Sequence, residues 1–316
     1  MIKAKRGLYQ RGNKIVVFGN MPAKAADGAD IVTLQIFERG DHALVEDLAA
    51  AANFEKFNTR AKDWVAADPP MTIVKTLQQR TGRLRFPVLR GVVTAPTMRA
   101  DGSILSAAGY DKRTGLFFEP GDVEFPPIPD LPTRGDAERA LETLWYLFKD
   151  FPFEAAPDRA VAMSAILTAC VRPSLPAAPM HAVDAPVAGS GKGKIVDIAT
   201  VIATGERAAV MAQGECEAEL EKRLGSKLMA GEAVIAIDNC TQPLGGDFLC
   251  QMLTQETVSP RILGLSKTPN LSASAFVAAN GNNLLIEGDL TRRAVMCKLD
   301  PKMEQPENRR FDSDPI

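Results

Sequence analysis

From residue 133 onward, apolar positions fall into two kinds of run. Ala140, Leu141, Leu144 and Leu147 recur at helical spacing, and Thr133 with Asp136 and Glu138 supplies a polar start for a helix through about Asp150. A second helix is expected over Asp158–Val171. Short, almost wholly apolar runs follow at Met180–Val183, Ala208–Met211, Ala233–Ile237, Pro260–Leu265, Ala273–Ala278 and Ala294–Leu299. Helical stretches at Ile195–Ala203, Glu215–Met229 and near Asp247–Leu253 separate several of them. Strands alternating with helices predict a parallel sheet with helical crossovers.

The first part of the chain has a different pattern. Strand-like runs at Lys14–Phe18 and Ile31–Phe37 precede helical stretches around Leu44–Ala52 and Met71–Arg80. The segment Phe86–Pro120 is β-rich, with turns at Arg99–Gly102 and Tyr110–Gly115. Between the parts lies Glu119–Pro132, with five prolines in fourteen residues, a composition that forbids regular structure and favours an extended connector. The expected division is an α+β region of unknown role at 1–118, a linker at 119–132 and an α/β domain at 133–316, with 133–172 as its helical lead-in.

Composition refines this picture little. A chain of 316 residues with 46% hydrophobic content can bury a sizeable core, and a formal charge of −2 gives no global affinity for nucleic acid. Local charge is more informative. Between Lys75 and Arg113 eight basic residues stand against Asp101 and Asp111, a stretch able to meet phosphate or simply to face solvent. The five cysteines include no C-x-x-C pair, and with only His42 and His181 a zinc site has poor support. Reduced thiols, no signal-like start and no membrane-length apolar run predict a soluble cytoplasmic protein.

The strongest chemical signal is APVAGSGKGK at Ala185–Lys194, between an apolar strand and a helix. Glycines let backbone N–H groups turn inward around phosphate oxygens, and the helix start adds positive potential. The segment predicts a loop that holds ATP through Ala188, Gly189, Ser190, Gly191, Lys192, Gly193 and Lys194, with Lys192 reaching the β- and γ-phosphates. Two positions depart from the G-x-x-x-x-G-K-[ST] pattern. Pro186 replaces the first glycine, and Gly193 replaces the hydroxyl residue that normally binds Mg²⁺.

Three further features follow in order. The strand AVIAID ends in Asp238, 46 residues after Lys192, and an acid there orients Mg²⁺. The next residue is Asn239, whose amide can orient water but cannot take its proton, so the catalytic base is unassigned. FVAANGNN at Phe276–Asn283 delivers an amide to a strand end: Asn282 is the choice, with Asn280 and Asn283 as rivals and an Asn-Gly turn as the plain alternative. GDLTRR then offers Arg292 and Arg293, which could stabilise transition-state charge at a neighbouring subunit's ATP or pair on the surface.

Lys, Asp, Asn and Arg in this order resemble the AAA+ ATPases, most of all the superfamily 3 helicases and the virus- or phage-type primase–helicases. The lead-in Thr133–Val171 looks like that group, and TAPTMRADGSILSAAGYDKRTG at Thr94–Gly115 is similar to the segment before the helicase domain in prophage and plasmid replication proteins. The resemblance implies an AAA+-like P-loop domain, a hexameric ring with ATP and Mg²⁺ between subunits, Lys192 and Asp238 acting in cis, and Arg292 or Arg293 in trans. It also implies movement along DNA, expected to be single-stranded, with a hairpin between Asp238 and the Asn strand facing the channel. Arg261 and Lys267 flank that region as candidate DNA contacts. The chain ends at DSDPI without a closing helix, and is expected to be a piece of a longer replication protein lacking a helical lid. The competing readings are an ATP-binding regulator or scaffold with weak or no hydrolysis, favoured by Gly193 and Asn239, and a small-molecule P-loop kinase, which lacks an evident lid or acceptor segment.

Overall fold

The computed structural model describes residues 7–80, 84–129, 131–261, 270–303, 305–306 and 315. In the first part, β1 (Tyr9–Arg11), β2 (Lys14–Lys24) and β3 (Asp30–Glu38) form an antiparallel sheet. After it come α1 (Asp41–Ala51), a hairpin of β4 (Glu55–Asn58) and β5 (Asp63–Ala66), and α2 (Met71–Gln78). The segment expected to be β-rich contains β6 (Gly91–Val93), β7 (Thr97–Met98), β8 (Ile104–Leu105), β9 (Gly109–Asp111) and β10 (Leu116–Phe118), with β10 between β6 and β9. Tyr9, Phe18 and Phe117 pack these strands onto the first sheet.

The second part begins with α3 (Arg134–Tyr146), capped by Thr133, whose hydroxyl oxygen accepts from the Asp136 N–H while the Asp136 carboxylate accepts from the Thr133 N–H. In α4 (Ala156–Val171), Asp158 caps the helix start and also accepts from the Lys298 N–H at 2.8 Å, tying helix to sheet. Then come β11 (Met180–Ala185), α5 (Lys192–Thr204), β12 (Val210–Ala212), α6 (Glu217–Ala230), β13 (Val234–Cys240), α7 (Asp247–Thr254), β14 (Thr257–Val258), β15 (Leu271–Ser272), β16 (Phe276–Asn282) and β17 (Ala294–Lys298). Left-handed glycines Gly205 and Gly231 end α5 and α6.

The expected parallel sheet is present: five strands in the order β12-β13-β16-β11-β17, every neighbouring pair parallel. Strand residues alternate between two cores. Val183, Ala185, Ala236 and Ala278 face Ile166 of α4 and Ile195 and Ile198 of α5. Ala182, Ile235, Ile237, Val277 and Ala279 face Leu224 and Leu228 of α6 and Leu249 of α7. Each fully buried Leu or Ile in these layers contributes about 1.5–3 kcal/mol relative to exposure.

Several expected boundaries shift for local reasons. β12 starts at Val210 because the Ala208 N–H is taken by the Asp197 carboxylate at 3.1 Å. No strand starts at Pro260, which has no N–H for a ladder and is buried close against Gly225; the strand there is β14, paired antiparallel with β15. Residues 262–269 lie outside the described residues. α3 stops at Tyr146, after which Phe148, Phe151 and Phe153 turn inward as a cluster.

The two parts are packed together. Arg11 donates to the Leu228 carbonyl at 2.8 Å, Thr94 to Thr204 and Thr97 to Cys170, each at 2.7 Å. The tip of the β2–β3 hairpin reaches the segment that follows α5, where Asp27 pairs with Arg207 at 2.5 Å. Among the described residues no helix is long and apolar enough to cross a membrane.

Candidate functional site

The chain leaves β11 toward one face of the sheet through α5, whereas α7 packs on the other face. A crevice outside the carboxyl ends of parallel strands, at such a divergence, is where open α/β sheets hold ligands. The glycine loop lies there. Gly189 and Gly191 have φ of 72° and 97°, a region costly for residues with a side chain. The Ser190 hydroxyl donates to the Val187 carbonyl at 2.6 Å and ties the loop to itself. Lys192, Gly193 and Lys194 form the first turn of α5, whose leading N–H groups have no helical partner.

Lys192 is 9% exposed. Its ammonium donates to the Val187 carbonyl at 3.0 Å and to Asn282 Oδ1 at 2.6 Å. Burial lowers the pKa of this amine, and the charges of Asp184 and Asp238 oppose that shift. Asp184 was missed by the sequence reading. It sits on β11 two residues before Pro186, and its carboxylate accepts from the Leu284 N–H at 2.7 Å. An acid inside the strand feeding the loop was the available signal.

Of the three rival asparagines, the structure brings Asn282 to Lys192. Asn280 is buried and accepts from the Asn239 N–H at 3.2 Å, holding a bulge where Asn239 has φ 52° and the ladder skips from Ile237 to Cys240. Asn283, also at φ 52°, donates its N–H to the Ala185 carbonyl at 3.1 Å. The alternative of an Asn-Gly turn is not what forms. Gly281 continues the strand, and a Cβ there would lie 2.6 Å from the Cys240 carbonyl oxygen.

Asp238 is half-buried near the end of β13. Among the described residues no three His, Cys, Asp or Glu side chains converge as a metal cluster. Asp238 and Asp184 both act on the Lys192 charge, and one or two carboxylates completed by phosphate and water are a donor set of the kind Mg²⁺ takes. Gly193 is not forced by packing: a Cβ there would meet only the Ala26 Cβ, at 4.0 Å.

Arg292 and Arg293 are not beside this site within one chain. They precede β17, and the Arg293 carbonyl accepts from the Met180 N–H at 3.0 Å, at the amino end of β11. Lys192 lies past the carboxyl end of that strand, roughly 20 Å away at the usual rise per residue. Both arginines pair with Asp289, and Arg293 also donates to the Cys250 carbonyl at 3.4 Å. Arg261 is exposed, with its N–H on Glu221 at 3.1 Å; Lys267 lies outside the described residues. In the basic stretch 75–113, Arg99 and Arg113 are taken up by Asp111 and Asp101. A cavity of about 460 Å³ lies away from the loop, between the first part and the carboxyl end of α5, lined by Thr94, Glu119, Thr204, Arg207 and Glu232.

Fold and site define an α/β protein with a parallel five-stranded sheet and a glycine loop and lysine at the carboxyl end of its fourth-ordered strand. No family model matches the chain, and no curated protein does. Among solved structures, an A-form apo structure of the NrS-1 C-terminal region is similar at 11% identity and TM-score 0.40, covering 85% of this chain and 64% of that one. A second structure of that region gives 12% identity and TM-score 0.37, covering 81% and 60%. The chain thus spans less than two thirds of the length of either.

Proposed function

We propose that the chain is an ATP-binding and ATP-hydrolysing motor, helicase-like and acting on DNA in a phage, prophage or plasmid replication system, with an AAA+-like domain at 133–316 behind the linker 119–132. The observation that carries the reading is the buried Lys192 ammonium at the mouth of a parallel sheet, between the glycine loop and Asn282, with Asp184 and Asp238 as nearby charges. In this reading Lys192 and the first N–H groups of α5 take the β- and γ-phosphate oxygens. The ammonium then exchanges Asn282 for phosphate, leaving the Asn282 amide at the terminal phosphate. Asp238 would hold Mg²⁺, which when bound would supply positive charge against the phosphates. Water attacks the γ-phosphorus, the bond to the β-bridging oxygen breaks, and ADP and phosphate leave. Arg293, at the amino end of the strands while Lys192 is at their carboxyl end, would act in this reading on the site of a neighbouring subunit in a ring. Arg261 and Lys267 remain candidate DNA contacts.

A second reading, an ATP-binding regulator or scaffold with little hydrolysis, is favoured by one specific arrangement. Gly193 brings no hydroxyl, and Asn239, beside Asp238, brings no carboxylate and has its N–H engaged by Asn280. Mg²⁺-ATPase turnover with and without single-stranded DNA, measured alongside oligomeric state, separates the two. Turnover by a nucleotide-dependent hexamer supports the motor. Tight ATP binding with no turnover in either condition overturns it in favour of the regulator.

A further inference from the structure

The β4–β5 hairpin is built unlike the rest of the fold: every residue of both strands is exposed. It is nonetheless well formed. The Phe54 carbonyl accepts from the Ala67 N–H at 2.9 Å and closes its base. At the tip the Asn58 carboxamide oxygen accepts from the N–H groups of Arg60 and Ala61, at 3.0 and 3.2 Å, and Lys62 adopts φ 53°. An isolated two-stranded hairpin is marginal in water. Four strand residues on each side held outside any core therefore suggest a use.

The use is indicated by what the hairpin displays. Phe57 stands directly opposite Trp64, with ring centroids 5.6 Å apart at 68°. The two rings are 45% and 62% exposed. The same short segment carries Lys56 and, at the turn, Arg60 and Lys62, against Glu55 and Asp63. A purely apolar protein contact would not need cations at the tip. A purely electrostatic contact would not need an indole kept in water. Unpaired nucleic acid requires both, because its bases stack on aromatic faces while its phosphates need neutralising.

The geometry points to the β4–β5 hairpin as a binding site for single-stranded nucleic acid, with bases stacking on Trp64 and Phe57 and phosphates meeting Arg60 and Lys62. The site deepens the DNA-acting part of the proposed function and is independent of its ATP-binding part.

The chain has two tryptophans, which makes the test direct. Trp145 is partly buried in the sheet core with the Arg159 guanidinium over its ring at 4.5 Å. In Trp145→Phe, Trp64 is therefore the sole indole reporter. An oligothymidylate carrying a distal dye is titrated without nucleotide, reading both dye anisotropy and indole emission. The expected result is saturable quenching of Trp64 that weakens with salt. In addition, Trp64→Ala should weaken binding at least about fivefold, as loss of one stacked base does. Arg60→Glu with Lys62→Glu should reduce the salt slope by about one to two. If Trp145→Phe does not fold, the difference in quenching between the natural chain and Trp64→Phe gives the same readout. Oligonucleotide binding that leaves Trp64 emission unchanged and is indifferent to Trp64→Ala overturns the hairpin site while leaving the DNA-acting reading intact. A Trp64→Ala effect confined to sedimentation, with oligonucleotide affinity unchanged, overturns it in favour of contact between copies. Quenching that persists in Lys192→Ala shows that the hairpin acts without the nucleotide site.

Discussion

The Lys192 ammonium lies 2.6 Å from Asn282 Oδ1, across 90 residues of chain, and donates to Val187 in its own loop as well. The lysine of the glycine loop is thus held by the strand next to β11, and in the proposed function a phosphate would have to displace that contact. A hydrogen bond to a charged group is worth about 1.5–3 kcal/mol net, so an incoming phosphate has to outcompete a real contact. Lys192→Ala should therefore lower ATP affinity by more than about tenfold, whereas Asn282→Ala should keep it within about tenfold and slow turnover by more than that. Titration calorimetry with ATP and steady-state turnover check the pair. Full ATP affinity in Lys192→Ala would sink the loop assignment.

Arg293 lies at the amino end of the strands and Lys192 at their carboxyl end, so in the proposed ring its effect should depend on assembly. Arg293→Ala should leave ATP binding intact and reduce turnover only in the assembled protein. Mixing it with Lys192→Ala subunits should restore part of the activity, because each variant supplies what the other lacks. Arg293 also pairs with Asp289 and the Cys250 carbonyl, so the thermal midpoint must be compared with that of Arg293→Lys. Mixtures with no activity above the separate variants would remove the trans role.

The loop was legible because its glycines stand between an apolar run and a helical one, and the local conformations they permit are those that form. The five-stranded sheet was legible from apolar strands alternating with helices. What escaped was decided across strands. Gly281 reads as turn chemistry, but the Cys240 carbonyl of the neighbouring strand demands it. The sequence favours Asn282 but leaves Asn280 and Asn283 as rivals. Register sends Asn280 to the β13 bulge and Asn282 to Lys192. Asp184 goes unread because what it acts on, the Leu284 N–H and the Lys192 charge, comes from other elements. The β4–β5 hairpin is not legible in the sequence, because nothing local to Phe57 and Trp64 says that the fold leaves both rings exposed.

His181 gives a pH prediction. It is buried on β11, shares a hydrogen bond with Ser164 at 3.2 Å and packs on Phe276. Burial lowers its pKa to about 4, against a smaller opposing effect of the Pro179 carbonyl. Between the unfolded value near 6.5 and about 4, the unfolded chain binds the proton and the folded one does not. Stability is therefore lost as pH falls through that window, by at most on the order of 3 kcal/mol from this group. Thermal midpoints from pH 7 to 4 should fall less steeply in His181→Gln than in the natural chain. Equal slopes would show that folding leaves the proton uptake of the imidazole unchanged.

Gly193 offers the sharpest test of whether weak hydrolysis is built into the loop. It occupies the second position of α5, has no positive φ, and its imagined Cβ meets only Ala26 at 4.0 Å. The Cβ of a serine therefore has room, and the change should raise helix stability by about a few tenths of a kcal/mol. More importantly, it returns the hydroxyl that a P-loop lends to Mg²⁺ beside a carboxylate such as Asp238. Gly193→Ser should lower the Mg²⁺ concentration for half-maximal turnover severalfold while leaving Mg²⁺-free ATP affinity unchanged. The comparison isolates the metal from the phosphate contacts, since Lys192 and the loop N–H groups are the same in both proteins. An unchanged Mg²⁺ dependence would mean that the ion is held elsewhere, and the roles given to Gly193 and Asp238 would fall together.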